Sequence, residues 1–300
     1  AGLWNAMELP FLAAGRVAVI TGSASGIGLA MAKRCAAMGM KVFLADNDPS
    51  DLPKAVEAVT AAAGGDASRV GSKLVDVGDM ASVQALKDEV YAKFGEVGFL
   101  MNNAGIGGGA GPFEKYDTWV RTLQINLWGV INCVQAFTDA MVAQGTPAMI
   151  CNTGSKQGIT CPPGNTAYNV SKAGVKVLTE GLQHELRSRD GCKVEACLLV
   201  PGWVNTELVR KNREHAAGGP VDLKDIPFCE AKPAAGAWMP EQVVDYFLDK
   251  MKAGKFYIIC PDNDVTEETD IKRMQWTASD IPSGRPPLSR WHPDYKAEFE

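Results

Sequence analysis

Histidine is scarce in this chain: there are three in 300 residues, none at a spacing that pairs two ligands. A metal centre is therefore not expected. Cys-x-x-Cys pairs are absent as well. The eight cysteines (Cys35, Cys133, Cys151, Cys161, Cys192, Cys197, Cys229 and Cys260) are scattered, several within apolar runs where a thiol behaves as a small hydrophobe. They read as free thiols in a reducing cytoplasm. No apolar stretch approaches the roughly 18 residues of a membrane span. The run from Leu9 to Ile20 is broken by Gly15-Arg16, so it belongs to a first strand and not to a signal peptide. Charge of neither sign is concentrated. The formal net charge is −5, with Lys and Arg dispersed, which leaves no footprint for nucleic acid or a membrane surface. Internal repeats and low-complexity tracts are missing. The chain does not begin with Met; Met7 is the candidate native start, preceded by Ala1 to Ala6.

What the chain does have is a regular alternation of strand-like and helix-like patterns. Arg16 to Thr21, Lys41 to Ala45, Gly71 to Asp76, Val97 to Met101, Ala148 to Thr153, Lys193 to Val200 and Phe256 to Ile259 read as strands. Between them Leu52 to Ala63, Met80 to Phe94, Thr118 to Ala143, Tyr168 to Arg187 and Glu241 to Lys252 read as helices. Repeated βα units of this kind predict a single-domain α/β fold, a doubly wound parallel sheet with helices on both faces. Ligands of such sheets lie at the carboxyl ends of the strands. Gly22, Asp46, Asp76, Asn102, Ser155 and Pro201 all fall just past predicted strand ends, which points to one shared site.

The first strand runs into Gly22-Ser23-Ala24-Ser25-Gly26-Ile27-Gly28 and then into a helical pattern with Ile27, Ala30, Met31 and Cys35 on one face, ended at Gly39. Strand, glycine-rich turn and helix form the context of a dinucleotide fingerprint. Glycines admit a pyrophosphate close to the backbone, and the helix start offers free N–H groups. Asp46 ends the second strand, where an acid accepts hydrogen bonds from ribose hydroxyls and repels a 2′-phosphate. No Lys or Arg stands in the glycine turn or beside Asp46 in sequence, so NAD is favoured over NADP. Taken alone, Asp46-Asn47-Asp48-Pro49 also reads as a plain turn.

Tyr168 and Lys172 stand at i and i+4, with Ser155 upstream. The unperturbed phenol has a pKa of about 10. An ammonium one helical turn away favours the phenolate, and a nearby hydroxyl can hold a substrate oxygen while the phenol moves the proton. That is apparatus for oxidising an alcohol or reducing a carbonyl. By itself the pair also fits a solvated helix face.

Read together, these motifs resemble those of the short-chain dehydrogenase/reductase family. The resemblance rests on Thr-Gly-x-x-x-Gly-x-Gly at 21–28, Asp76-Val77, Asn102-Asn103-Ala104-Gly105, Asn126, Ser155, Tyr168, Lys172, Pro201-Gly202 and Thr206, in that order. It implies a Rossmann fold with strand order 3-2-1-4-5-6-7 and a catalytic tetrad at Asn126, Ser155, Tyr168 and Lys172. Cofactor contacts are implied at Gly22, Ser25, Gly26, Ile27, Gly28, Asp46, Asn47, Asp76, Val77, Asn103, Ala104, Gly105, Pro201, Gly202, Val204 and Thr206, and at Tyr168 and Lys172 themselves. In that scheme Tyr168 is general base or acid, Ser155 holds the substrate oxygen, Lys172 lowers the Tyr168 pKa and holds the nicotinamide ribose, and Asn126 fixes a water that links Lys172 to solvent. The implied activity is NAD-dependent hydride transfer with a secondary alcohol or its ketone. An NADP-dependent carbonyl reductase and a non-catalytic NAD-binding redox sensor are the alternatives. Departures from the family pattern are Gly98, where many members carry Asp, Gly154, often Ser, and the lack of an Asp-Gly-Gly ending.

Three stretches fall outside this scheme. Gly105 to Gly111 is a glycine-rich loop that borders the substrate cleft or is merely flexible. The long connection from Trp203 to Met239 is expected to form short helices that close over substrate, with Trp203, Leu208 and Trp238 as apolar walls or as packing onto the body. Lys156, Gln157 and the rigid Cys161-Pro162-Pro163-Gly164 lead to Tyr168; Lys156 is either a pocket residue or a solvent-facing charge. The catalytic body is expected over residues 1–260. Residues 261–300, which carry Trp276, Trp291, Tyr295 and Phe299, are expected to dock on that body or on a neighbouring subunit. A homodimer or homotetramer is implied through the helices carrying Asn126 and Tyr168, and the partner is otherwise a small-molecule alcohol or ketone.

Overall fold

In the computed structural model, residues 9–300 are described; the candidate start at Met7 and the residues before it lie outside them. Seven parallel strands form one sheet in the order β3-β2-β1-β4-β5-β6-β7, the order expected. These are β1 (Val17–Thr21), β2 (Lys41–Asp46), β3 (Val70–Leu74), β4 (Phe99–Asn102), β5 (Ala148–Thr153), β6 (Val194–Val200) and β7 (Tyr257–Ile259). Strands β1, β4, β5 and β6 are buried along their whole length. This explains their continuous apolar character, since both faces are covered by helices. One core lies under α1 (Gly26–Ala37), α2 (Leu52–Ala62) and the late helix Pro240–Lys252; the other lies under α3 (Met80–Phe94), the helical segments of 116–143 and the helix that starts at Thr166.

The strand expectations hold within a few residues. Leu9 to Ile20 does not form one strand: Pro10–Leu12 is a 3-10 turn that buries Phe11 and Leu12, and β1 begins only at Val17. The third strand stops at Leu74, leaving Asp76 in an exposed turn whose carboxylate accepts from the Gly78 N–H at 2.8 Å. Asp79 caps α3 by accepting from the Ala81 and Ser82 N–H groups, and Gly95 ends it with φ of 80°. Gly98 has a clear cause. A Cβ there would sit 2.8 Å from the Phe11 carbonyl oxygen and 3.1 Å from the Arg16 guanidinium. The carboxylate for Arg16 comes instead from Glu96, at 2.8 Å.

The long helix expected from Thr118 to Ala143 is three segments: α4 (Tyr116–Leu123), a π turn (Gln124–Trp128) and α5 (Gly129–Ala143). A π turn adds a residue to the helical ladder and recurs at functional sites. Here Asn126 sits in its middle. Beyond β5 come the short α6 (Gln157–Thr160) and α7 (Thr166–Ser188). The connection after β6 contains α8 (Leu208–Ala217) and a 3-10 turn at Leu223–Asp225, and leads to α9 (Pro240–Lys252). After β7, α10 (Glu267–Ser283) and the residues behind it fold back on the chain. Trp276 Nε1 donates to Ser289 Oγ at 2.8 Å, the Arg285 guanidinium stacks 4.0 Å over the Trp276 ring, and Phe299 meets that ring edge-on.

Gly28 shows how tightly the glycine turn is built. A Cβ at this position would lie 2.1 Å from the Gly22 carbonyl oxygen and 2.7 Å from Asn103 Nδ2. Gly28→Ala is therefore expected to cost about 1–3 kcal/mol in a urea titration. An unchanged midpoint would mean that the turn yields freely.

Candidate active site

The first wall of the site is the β1–α1 turn. Gly22 takes φ of +64°, and a Cβ there would stand 2.7 Å from the Ala104 Cα, so the backbones of the two loops touch. Thr21 Oγ1 accepts from the Asn103 and Ala104 N–H groups at 3.0 and 3.1 Å, and Asn103 Nδ2 donates to the Gly22 carbonyl at 3.2 Å. Ser25 is extended and precedes α1; Ile27 and Gly28 are buried in its first turn. Asp46 Oδ2 accepts from the Ala24 N–H at 2.9 Å, and Oδ1 accepts from the Asp48 N–H. Asn47 is exposed at the same edge. Val77 is buried against Gly129, and its carbonyl accepts from Asn132 Nδ2. The Gly26 N–H donates to Glu230 Oε1 at 2.8 Å. An anion therefore already sits on the backbone donor of the glycine turn, which shows that this concavity suits negative oxygen. Bare glycine backbone, a helix start and an anion on its N–H fit a dinucleotide pyrophosphate.

The second wall is built by β5, α6 and α7. Ser155 follows β5, and its Oγ accepts from the Gln157 N–H at 3.2 Å. That hydroxyl acts on the Tyr168 phenol and pulls its pKa down. Lys172 is 5% exposed and donates from Nζ to the Thr153 carbonyl at 2.9 Å, while standing 5.7 Å from the Tyr168 ring centroid. Ser155, Tyr168 and Lys172 are thus brought together. Their electrostatics differ from the expectation. Burial pushes the Tyr168 phenol above its ordinary pKa, and the Ser155 hydrogen bond pulls against it without prevailing. Burial also pushes Lys172 down to about 8. Among the causes acting on the phenol, burial outweighs the help from Ser155. The Lys172 ammonium is buried and turned to the Thr153 carbonyl, while Tyr168 is partly exposed.

Asn126 is fully buried, and its amide is committed to a neighbouring loop. Oδ1 accepts from the Ile106 N–H at 2.7 Å and Nδ2 donates to the Ile106 carbonyl at 2.8 Å. Its side chain clamps the segment after Asn103-Ala104-Gly105. Nδ2 also donates to Ser171 Oγ at 3.3 Å. A Cβ on Gly105 would lie 3.3 Å from Asn126 Oδ1 and 3.6 Å from Lys172 Nζ, so glycine there lets the clamp and the lysine converge. The glycine-rich loop does border this centre. Gly108 is packed against Tyr168 and Asn165, and the Asn165 side chain accepts from the Gly109 N–H at 2.6 Å.

The connection after β6 spans both walls. Pro201 is buried, Val204 bridges to Trp238, and Thr206 packs against Gly26. Trp203 meets Phe228 edge-on at 5.3 Å, and Trp238 packs on Tyr246 of α9. On α8, Asn212 lies directly against Gly107. Lys211 Nζ reaches Asp48 at 2.9 Å and Asp51 at 3.3 Å, and Arg210 approaches Asp51 at 3.7 Å. Burial alone would lower the Lys211 pKa, but Asp48, Asp46 and Asp51 together hold it above its ordinary value. So the cation that the sequence lacks beside Asp46 arrives from a distant helix. Sequence reasoning also missed Glu230. A polar segment in a long loop carries no sign of which backbone donor it will meet.

The family profile described as short chain dehydrogenase matches residues 16–217. The chain is 36% identical over 219 residues to a putative ketoacyl reductase of granaticin polyketide synthesis from Streptomyces violaceoruber, covering 71% of this chain and 77% of that one. It is 32% identical over 232 residues to cis-4-hydroxycyclohexanecarboxylate dehydrogenase of Sinomonas cyclohexanicum, covering 77% and 86%. Among solved structures, a short chain dehydrogenase/reductase from Burkholderia phymatum in complex with NAD superposes with a TM-score of 0.79 at 32% identity, covering 91% of this chain and 96% of that one.

Proposed function

The chain belongs to the short-chain dehydrogenase family, and we propose that it is an NAD-dependent dehydrogenase that oxidises a secondary alcohol, or reduces the matching ketone, with Tyr168 as the proton-transferring residue. The observation that carries this reading is the convergence of Ser155, Tyr168 and Lys172, with Lys172 buried behind the Tyr168 ring and bonded to the Thr153 carbonyl. When bound, the nicotinamide accepts or returns the hydride. The protein's own residues do the rest. Ser155, its hydroxyl fixed by the Gln157 N–H, holds the substrate oxygen and steadies its changing charge. Tyr168 takes the hydroxyl proton in oxidation and gives it back in reduction. Lys172 stands where it can hold the nicotinamide ribose, and a positive charge brought near the phenol favours its ionisation. Asn126 keeps Ile106 and the adjoining loop in place.

NAD is preferred because Asp46 ends β2 with its carboxylate on the glycine turn, a group that repels a 2′-phosphate. The cation nearest this corner, Lys211, is already engaged by Asp48 and Asp51. The structural relative from Burkholderia phymatum, solved with NAD, supports the same choice. The amides of Gln157 and Asn165 lie beside Tyr168, and Asn212 lies against the neighbouring Gly107, a polar lining that suits an uncharged, polar secondary alcohol. Exposed apolar side chains on two neighbouring helices, Val120 and Trp128 on one and Val170 and Val177 on the other, support a homodimer or homotetramer assembled through these faces. A reducing cytoplasmic setting suits eight cysteines that are all unpaired.

Titration with NAD and NADP, followed by a panel of secondary alcohols and ketones read by nicotinamide absorbance, tests the reading. NAD is expected to bind more tightly and to support turnover. Preference for NADP would favour a carbonyl reductase. Tight NAD binding without turnover across the panel would favour a redox sensor.

A further inference from the structure

We propose that Lys156, clasped by Asp262 and Asp270 of the C-terminal extension, is a positioning residue for Ser155, so that residues 261–300 complete the active site instead of merely covering the body. The inference rests on the reading of Ser155 as the group that holds the substrate oxygen.

Lys156 follows Ser155 directly. It is not the solvent-facing charge that its sequence context allowed. Its side chain is 14% exposed, and Nζ lies 3.3 Å from Asp262 and 2.5 Å from Asp270, whose side chains are 5% and 3% exposed. A cation this buried depends on its partners, because removing one leaves an uncompensated charge away from water. The cluster touches every segment around Ser155. The Lys156 N–H donates to the Pro201 carbonyl at 3.4 Å, and the Lys156 carbonyl accepts from the Thr160 N–H at 2.9 Å at the start of α6. Asp262 also accepts from the Trp203 N–H at 3.2 Å. A Cβ on Gly202 would stand 2.7 Å from both Asp262 Oδ2 and Lys156 Nζ, so the turn after β6 is moulded onto the ion pair itself. The next residue, Asn263, donates to the Ala235 and Ala237 carbonyls at the far end of the lid connection. One ammonium thus sets the spacing between the serine loop, the Pro201–Trp203 turn, the lid base and α10. It acts through Ser155 and its backbone.

Two variants test this, Lys156→Met and Asp270→Asn. The second keeps the Asp262 partner, so it stays informative if the first fails to fold. Both are expected to lower kcat/KM about 10- to 100-fold, and Lys156→Arg is expected to recover part of the loss. In a double-mutant cycle, Ser155→Ala should cost much less in the Lys156→Met background than in wild type; additive losses would overturn the proposal. Amide hydrogen exchange supplies a readout that needs no turnover. In Asp270→Asn, amides of 154–160 and 202–206 should exchange faster while those of β1 and α1 stay protected. Unchanged exchange in those two segments, or a rise spread evenly over the sheet, would overturn the proposal. If wild type turns over no alcohol or ketone, the oxidoreductase reading fails, and exchange still decides whether the ion cluster positions the serine loop.

Discussion

Tyr168→Phe is expected to lower kcat by about 10³-fold, within the range that a positioned acid–base group contributes, while NAD still binds. The Tyr168 Cβ and backbone stay packed against Gly108 in the variant, so the cleft keeps its shape. The pH profile adds a second criterion. Burial holds the free Tyr168 phenol above its ordinary pKa, so alcohol oxidation by wild type should rise toward alkaline pH as the phenolate forms. The Phe variant has no such ionisation and its residual rate should lack that rise. Near-wild-type turnover by Tyr168→Phe, in a steady-state assay with excess NAD, would reject the proton-transfer role.

Lys172→Met should lose at least about 10²-fold in turnover and yet gain stability at neutral pH. The sign follows from linkage. In the folded chain Lys172 is pushed by burial from 10.5 to about 8, so between these values the unfolded state binds more protons. Stability therefore rises with pH across that window, and below pH 8 the full penalty of the buried ammonium is present. The penalty is on the order of 3 kcal/mol. Methionine fills similar space without a charge, although it leaves the Thr153 carbonyl without its donor, which costs about 1 kcal/mol. Urea titrations of both proteins should show the variant more stable by roughly 1–3 kcal/mol at pH 7, with that advantage lost as pH rises and reversed by about 1 kcal/mol near pH 10.5, where only the missing Thr153 hydrogen bond counts. A difference that does not vary with pH would show that Lys172 is not strained by burial. A positive result would mark it as a group retained for function at the expense of stability.

The sheet was legible because its central strands are buried on both faces and therefore carry unbroken apolar runs such as Val17-Ala18-Val19-Ile20. Chemistry-bearing residues were legible where they fall at strand ends, as with Gly22, Asp46 and Ser155. The remainder depends on contacts remote in sequence or on local dehydration. The π turn at Asn126 adds a residue to the ladder without changing which side chains are apolar, so periodicity still reads as one helix. Lys156 looks like any surface lysine until Asp262 and Asp270 arrive from beyond β7. Lys211 meets Asp48 only because α8 crosses the end of β2. The spacing of Tyr168 and Lys172 correctly places them side by side, but spacing says nothing about lost water, and here lost water decides the direction of both pKa values.

The hydrogen bond from the Gly26 N–H to Glu230 bears on how a phosphate can reach this turn. Because that donor is engaged by a carboxylate, docking is an exchange of one anion for another. A diphosphate seated on that donor would displace Glu230 toward solvent, and part of its intrinsic attraction would be consumed by the displacement. Burial already holds Glu230 above the usual carboxylate range, so the displaced group regains hydration as it leaves. The affinity for a dinucleotide would then be the balance of two competing occupants of a single backbone donor.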